Sequence, residues 1–273
     1  MEWSKGLVVI GAGQMGGALI EGIARAQLLP AASIRIVDLD RPRVEALAER
    51  LGVRPSVTLD EADFDAAIVA VKPQALPSLL PALQALGGKG KCFISIAAGV
   101  RLERLSQILP QAKWLRAMPN LPARIGKGVT ALAAASDLEE GDWGRAEALF
   151  RCVGTTLRID ESLFDVVTAL SGSGPAYVFA LLEAQIEGAV RLGLPRPSAE
   201  FLAKQTLQGA AALALQESSV SRLREEVTSP GGTTAAGLFA LEERGFRHAL
   251  MLALEKATKR SEEIARWIDS LLS

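Results

Sequence analysis

Several kinds of residue are scarce in this chain of 273, and each scarcity closes off a class of function. There is one histidine, and there are two cysteines, Cys92 and Cys152, with no CxxC spacing. A His/Cys metal site lacks its ligands and His248 cannot make one alone, so no structural metal is expected. Both cysteines lie in apolar, strand-like stretches, which favours buried thiols in a reducing cytosol over a disulfide. A net charge of -1 implies no basic surface for nucleic acid or an acidic membrane. No apolar run approaches the roughly 20 residues that span a bilayer. The opening MEWSKG runs into a strand-like segment without an apolar leader, so a soluble, cytoplasmic protein is expected. The partners that remain are a small molecule and another copy of the chain.

What the chain does have is apolar residues, 49% against 22% charged, which suits a well-buried globular protein. In its first part short apolar runs alternate with helical patterns: GLVVIGAG, residues 15–27, SIRIVD, residues 42–51, AAIVAV, KCFISIAAG and KWLRAMPN. Strand and helix in turn predict a mainly parallel sheet with right-handed crossovers. Strand-like runs at 128–134 and 155–159 follow, around a helix over 143–152. After about residue 160 the β-branched runs vanish, and Ala, Leu and Glu recur at helical spacing. One helix there has Pro175 in its first turn and stops at Gly193 and Pro195; others cover 198–216 and 222–226. Thr233 or Thr234 is expected to cap a helix that closes near Gly245, and a long helix runs from Phe246.

VVIGAGQMGGAL places Gly11, Gly13 and Gly16 as G-x-G-x-x-G, after the first strand and at a helix start. The glycines permit a tight turn and close approach of a pyrophosphate, and the helix N-terminus attracts it. The expected fold is therefore α/β, an N-terminal doubly wound Rossmann domain over 1–160, followed by an all-α domain over 161–273. Gly11, Ala12, Gly13, Gln14, Met15 and Gly16 are the dinucleotide-loop candidates. Asp38 ends the second strand, where an acidic group reads the ribose hydroxyls of NAD(H) and repels the added phosphate of NADP(H). Arg41 and Arg43 could accept that phosphate, so NADH is favoured and NADPH stays open; the plainer role of Asp38 is to cap the next turn. Val71, Lys72 and Pro73 in AVKPQ, and Ala97 and Ala98 in SIAAG, fall at carboxyl ends of later strands, where doubly wound sheets hold ligands. Lys72 reads equally as a solvated surface lysine.

VTSPGGTTAAGL, residues 227–238, carries no charged side chain, no thiol and no imidazole. Its glycines, Gly231 and Gly232, let backbone N–H groups approach an anion, and the helix that follows adds unpaired amides and a positive dipole end. Together with IGAGQMG, VAVKP, SIAAGV, RAMPNLP and LSGSGPAYVF, in that order along the chain, VTSPGGTT resembles one family, pyrroline-5-carboxylate reductase. The resemblance implies reduction of 1-pyrroline-5-carboxylate to L-proline by NADPH or NADH, the last step of proline biosynthesis. It implies a helical domain interlocked with a partner's in a homodimer that can build a decamer, with an active site shared between subunits. Residue by residue it puts Gly11 to Met15 on the pyrophosphate, Val71 and Lys72 on the cofactor, and Glu161 near the bound amino acid. Thr233 and Thr234 fall on the substrate's carboxylate and ring nitrogen, with Thr234 the catalytic candidate and Ser229 a further hydrogen bond. The plain alternative is that one threonine only caps the helix. Two positions depart from the family: Asp38 stands where relatives commonly carry Ser, and Glu226 where some carry Asn.

Reducing a cyclic imine asks for positioning more than for a strong acid, because the protonated C=N carbon is already electrophilic. A β-hydroxyacid dehydrogenase would need a lysine on an early interdomain helix, and residues 173–193 contain none. A cofactor sensor without catalysis would have no use for SPGGTT beside Glu161.

Overall fold

The computed structural model describes residues 3–56, 58–59, 64–88, 90–135 and 138–272. The chain divides into two compact units, Met1–Ser173 with Lys256–Ser273, and Gly174–Glu255.

In the first unit β1 (Leu7–Ile10) is a continuous apolar run, LVVI, buried throughout, as a strand covered on both faces must be. Alternation sends Leu7 and Val9 into one core cluster and Val8 and Ile10 into the other. Gly11 turns the chain into α1 (Gln14–Arg25), followed by β2 (Ile34–Val37), α2 (Arg41–Leu51), β3 (Arg54–Ser56), β4 (Ala66–Val69) and α3 (Leu76–Ala85). Then come β5 (Cys92–Ser95), α4 (Leu102–Ile108), β6 (Lys113–Met118), β7 (Gly128–Ala134), α5 (Glu140–Arg151) and β8 (Gly154–Arg158). The eight strands form one sheet in the order β3-β2-β1-β4-β5-β6-β7-β8. Leu19, Ile20 and Ile23 of α1, Val44 and Leu47 of α2, and Leu149 and Phe150 of α5 cover one face. Leu76 and Leu83 of α3, and Leu102 and Leu105 of α4, cover the other. Full burial of each such side chain contributes about 1.5–3 kcal/mol, so the doubly wound layers hold the strand ends rigidly.

Three details differ from the sequence expectation. Strand β7 runs antiparallel to β6, because a five-residue 3₁₀ turn, Leu121–Ile125, is too short for a crossover helix. Strand β3 was not foreseen: it is a three-residue edge strand containing Pro55, whose missing N–H is tolerated only at an edge. Cys152 sits at the C-terminus of α5, its thiol donating to the Ala148 carbonyl at 3.2 Å, whereas Cys92 is buried on β5 and its pKa is pushed up to about 12 chiefly by burial.

Helix α6 (Phe164–Val167) continues through a π-helical turn, Thr168–Gly172, into α7 (Gly174–Arg191); α8 (Arg196–Ala214), α9 (Val220–Glu226), α10 (Thr233–Glu243) and α11 (Phe246–Leu271) follow. Only Ile186 of α7 and Ala199 of α8 are buried, and no residue of α10 is. Phe179, Phe201, Phe239 and Met251 are all exposed. By length and composition the helical stretch Glu161–Arg191 could cross a membrane, contrary to the sequence expectation, because scattered Gly and Ser interrupt its apolar runs without making it polar.

Candidate active site

The turn after β1 depends on glycine at two positions. Gly11 has φ +102°, and a Cβ there would come within 2.5 Å of the Ala70 carbonyl oxygen. A Cβ on Gly16 would overlap the Gly11 carbonyl oxygen, so α1 reaches β1 this closely only with glycine at that position. Gly13 is the N-cap of α1 in extended conformation, and no side chain caps the first turn. That cradle, which a Cβ would fill, with free helix amides above it, fits the pyrophosphate of a dinucleotide.

Asp38 leans back onto this loop. Its Oδ2 accepts the Ala12 N–H at 2.6 Å and its Oδ1 accepts the Asp40 N–H at 3.0 Å. The second bond is the turn cap expected of Asp38, and Asp40 in turn caps α2, accepting the Arg43 N–H at 3.2 Å. Arg43 ends 2.7 Å from Asp40 Oδ2 and 4.0 Å from Asp38 Oδ2, so two carboxylates already compete for its charge. Val71 is half-buried and Lys72 exposed just past β4, with Pro73 opening a 3₁₀ turn. Past β5, Ala97 is buried, its N–H directed to Ser95 Oγ at 3.3 Å, and Ala98 is half-buried. All these residues lie at the carboxyl ends of β1, β2, β4 and β5, which are neighbours in the sheet.

Glu161 belongs to the same unit. Its Oε1 accepts two hydrogen bonds, from Arg116 Nη1 at 3.0 Å and from the Leu102 N–H at 2.8 Å. Arg116 is buried on β6 with its guanidinium carbon 4.7 Å from the centre of the Phe164 ring. Burial lowers its pKa, and the bond and charge of Glu161 act against that. A cavity of about 630 Å³ is lined by Glu161 with Leu102, Ser106, Trp143 and Arg158 among others; no glycine-loop residue borders it. Arg116 was missed from sequence, although an arginine among the apolar residues Trp114, Leu115, Ala117 and Met118 was its signal. Asn120 was missed too: its Nδ2 donates to the Ser171 carbonyl at 3.1 Å and its Oδ1 accepts the Val129 N–H at 3.0 Å, tying the π-helical turn to β7.

In the second unit the SPGG turn precedes α10. Gly231 has φ +67°, and the Gly232 N–H donates to the Ser229 carbonyl at 3.0 Å. The expected threonine cap is absent: Gly232 itself is the N-cap, no side chain caps α10, and Thr233 and Thr234 are its first two residues. Glycine is itself an accepted N-cap residue, and a Cβ at 232 would meet Ser229 Oγ. Thr233 and Ser229 are exposed, and Thr234 is half-buried. Glu226 is bound by Arg222 Nε at 2.8 Å, one turn earlier on α9.

A family model described as pyrroline-5-carboxylate reductase dimerisation matches residues 161–264, and one described as NADP oxidoreductase, coenzyme F420-dependent, matches residues 6–99. A pyrroline-5-carboxylate reductase of Methanosarcina acetivorans is 40% identical over 263 residues, covering 94% of this chain and 97% of its own. This chain belongs to the pyrroline-5-carboxylate reductase family. The reductase of Coxiella burnetii superposes with a TM-score of 0.90 at 32% identity, over 96% of this chain and 99% of its own. That of Plasmodium falciparum, solved with NADP bound, gives 0.84 at 29%, over 96% and 98%. Within the family, an NAD(P)-dependent oxidoreductase fold accounts for the glycine cradle, and a dimerisation domain is what the exposed apolar faces of α7, α8 and α10 require of this reductase.

Proposed function

We propose that this chain reduces 1-pyrroline-5-carboxylate to L-proline, the last step of proline biosynthesis. The observation that carries the reading beyond family membership is the open start of α10: with Gly232 as cap, both threonine hydroxyls and the first helix amides are left for a ligand. The amides and the helix dipole suit the substrate carboxylate without a cationic side chain. The half-buried Thr234 hydroxyl suits the ring nitrogen and is the catalytic group of this reading, while Glu161, Ser229, Gly231, Gly232 and Thr233 bind substrate. Bound NAD(P)H supplies the hydride. Gly11 to Gly16, Asp38, Val71, Lys72, Pro73, Ala97 and Ala98 hold it. Residues 1–160 serve as the cofactor domain and 161–273 as the substrate and dimerisation domain, in a cytoplasmic homodimer that builds a decamer. Spectrophotometric assay of the purified protein tests the reading: reduced cofactor is consumed and proline forms in equal amounts, and a folded protein that consumes none at saturating substrate overturns it.

The cofactor of this reading is NADH. Asp38 stands fixed by the Ala12 and Asp40 amides, and Arg43 is already engaged by carboxylates, so an added phosphate would meet negative charge. Asp38→Ser is expected to shift the ratio of NADPH to NADH affinity about tenfold or more toward NADPH, the weight of one charge-assisted contact. Fluorescence titration with each cofactor reads this directly; an unaltered ratio removes Asp38 from the role.

A further inference from the structure

Building on the reading in which Glu161 meets the substrate, we propose that Arg116 is the positioning residue that orients the Glu161 carboxylate for that contact. Arg116 is 4% exposed, between Leu115 and Ala117 in the buried middle of β6. Its Nη1 and the Leu102 N–H at the start of α4 both reach Glu161 Oε1, at 3.0 and 2.8 Å. Two donors, from a strand and from a helix start, thus converge on one oxygen. Oε2 accepts no hydrogen bond from the described residues, and the Glu161 side chain is 26% exposed. A carboxylate pinned through Oε1 presents Oε2 in one direction, with its charge and acceptor capacity intact toward the bound substrate.

The surroundings keep the guanidinium on this task. Its central carbon lies over the Phe164 ring, 4.7 Å from the centre, which adds a cation–π contact. Asp165, the other carboxylate that attracts Arg116, accepts the Ser261 hydroxyl at 2.6 Å. For the fold alone this is an expensive arrangement, since a buried ion pair stabilises no better than apolar residues of the same volume. Charged side chains buried against a cleft residue are what a positioned substrate contact requires. Lysine at 116 would keep the charge but lose the planar fork, so it separates orientation from charge.

The test uses purified R116K, R116M and E161Q, with R116K/E161Q, each checked for folding by circular dichroism. R116K is expected to raise KM for pyrroline-5-carboxylate about tenfold and R116M about a hundredfold, with KM for reduced cofactor within about twofold of wild type. In the E161Q background R116K is expected to add less than about twofold, because both changes remove one interaction. An R116K enzyme with unaltered substrate KM, or equal rises in both KM values, or full additivity with E161Q, overturns the positioning role. If R116M does not fold, R116K and the double variant decide. A wild type inactive toward pyrroline-5-carboxylate overturns the functional reading and the positioning role with it; an active wild type with an unaltered R116K overturns the positioning role alone.

Discussion

Gly16→Ala is expected to weaken dinucleotide binding about 10- to 100-fold, while Gly17→Ala, one residue on, leaves it within about twofold. At Gly16 the added methyl overlaps the Gly11 carbonyl oxygen and comes 3.2 Å from the Ala70 Cβ. Backbone cannot swing away, so α1 must retreat from β1 and β4. That retreat loosens Leu19, Ile20 and Ile23 from the core, and overpacking of this kind costs about 1–3 kcal/mol. A loss of several degrees in Tm accompanies it, at about 2–4 °C per kcal/mol for a domain of this size. At Gly17 the nearest atom to an added Cβ is the Ala12 carbonyl oxygen at 3.7 Å, an ordinary contact, and alanine favours the helix by about 0.5–1 kcal/mol. Isothermal titration with NADH and a thermal melt of each variant measure the contrast. Equal affinities for the two variants would show that the close approach of α1 to the loop does not shape the cradle.

Thr234→Ala is expected to lower kcat/KM for pyrroline-5-carboxylate about 10- to 100-fold, the weight of a hydrogen bond to a charged group. The helix itself does not need this hydroxyl, because Gly232 is the cap and alanine is a better helix former than threonine. A loss therefore reports the ligand contact and not the fold. Thr234→Ser, which keeps the hydroxyl, is expected to retain most activity, and Thr233→Ala, at an exposed position, to lose less than Thr234→Ala. Unchanged kcat and KM in Thr234→Ala would end its role in the chemistry.

What could be read from sequence follows the range of the interactions involved. The cradle was legible because β1, Gly11 and Gly16 lie within ten residues and their chemistry is local. Strand β6 was legible as a strand, but its antiparallel partner was not: a period of two marks a strand and carries no direction. The cap at Gly232 was hidden by a sound general preference for threonine: glycine is also an accepted cap, and the helix begins one residue earlier than a threonine cap would have it. Arg116 stands 45 residues from Glu161 and Leu102 stands 59, and nothing local to any of the three announces that both bonds end on the same Glu161 oxygen. Likewise the Asp38 side chain looked free to read a ribose, and its bond to the Ala12 amide emerges only once β2 is laid beside β1.

Helix α10 carries the loop that gives this reading its chemistry, yet one chain by itself buries none of its residues. By mass action, a helix that finds its cover only on another copy has a folding equilibrium that includes protein concentration. The midpoint of thermal unfolding is therefore expected to climb as the chain is concentrated over about a hundredfold range, and activity per chain to fall on dilution before unfolding is seen. A midpoint and specific activity that ignore concentration would contradict this. Supply of the chain thus becomes a control on its own catalysis: below a threshold abundance, added copies raise the working fraction as well as the number.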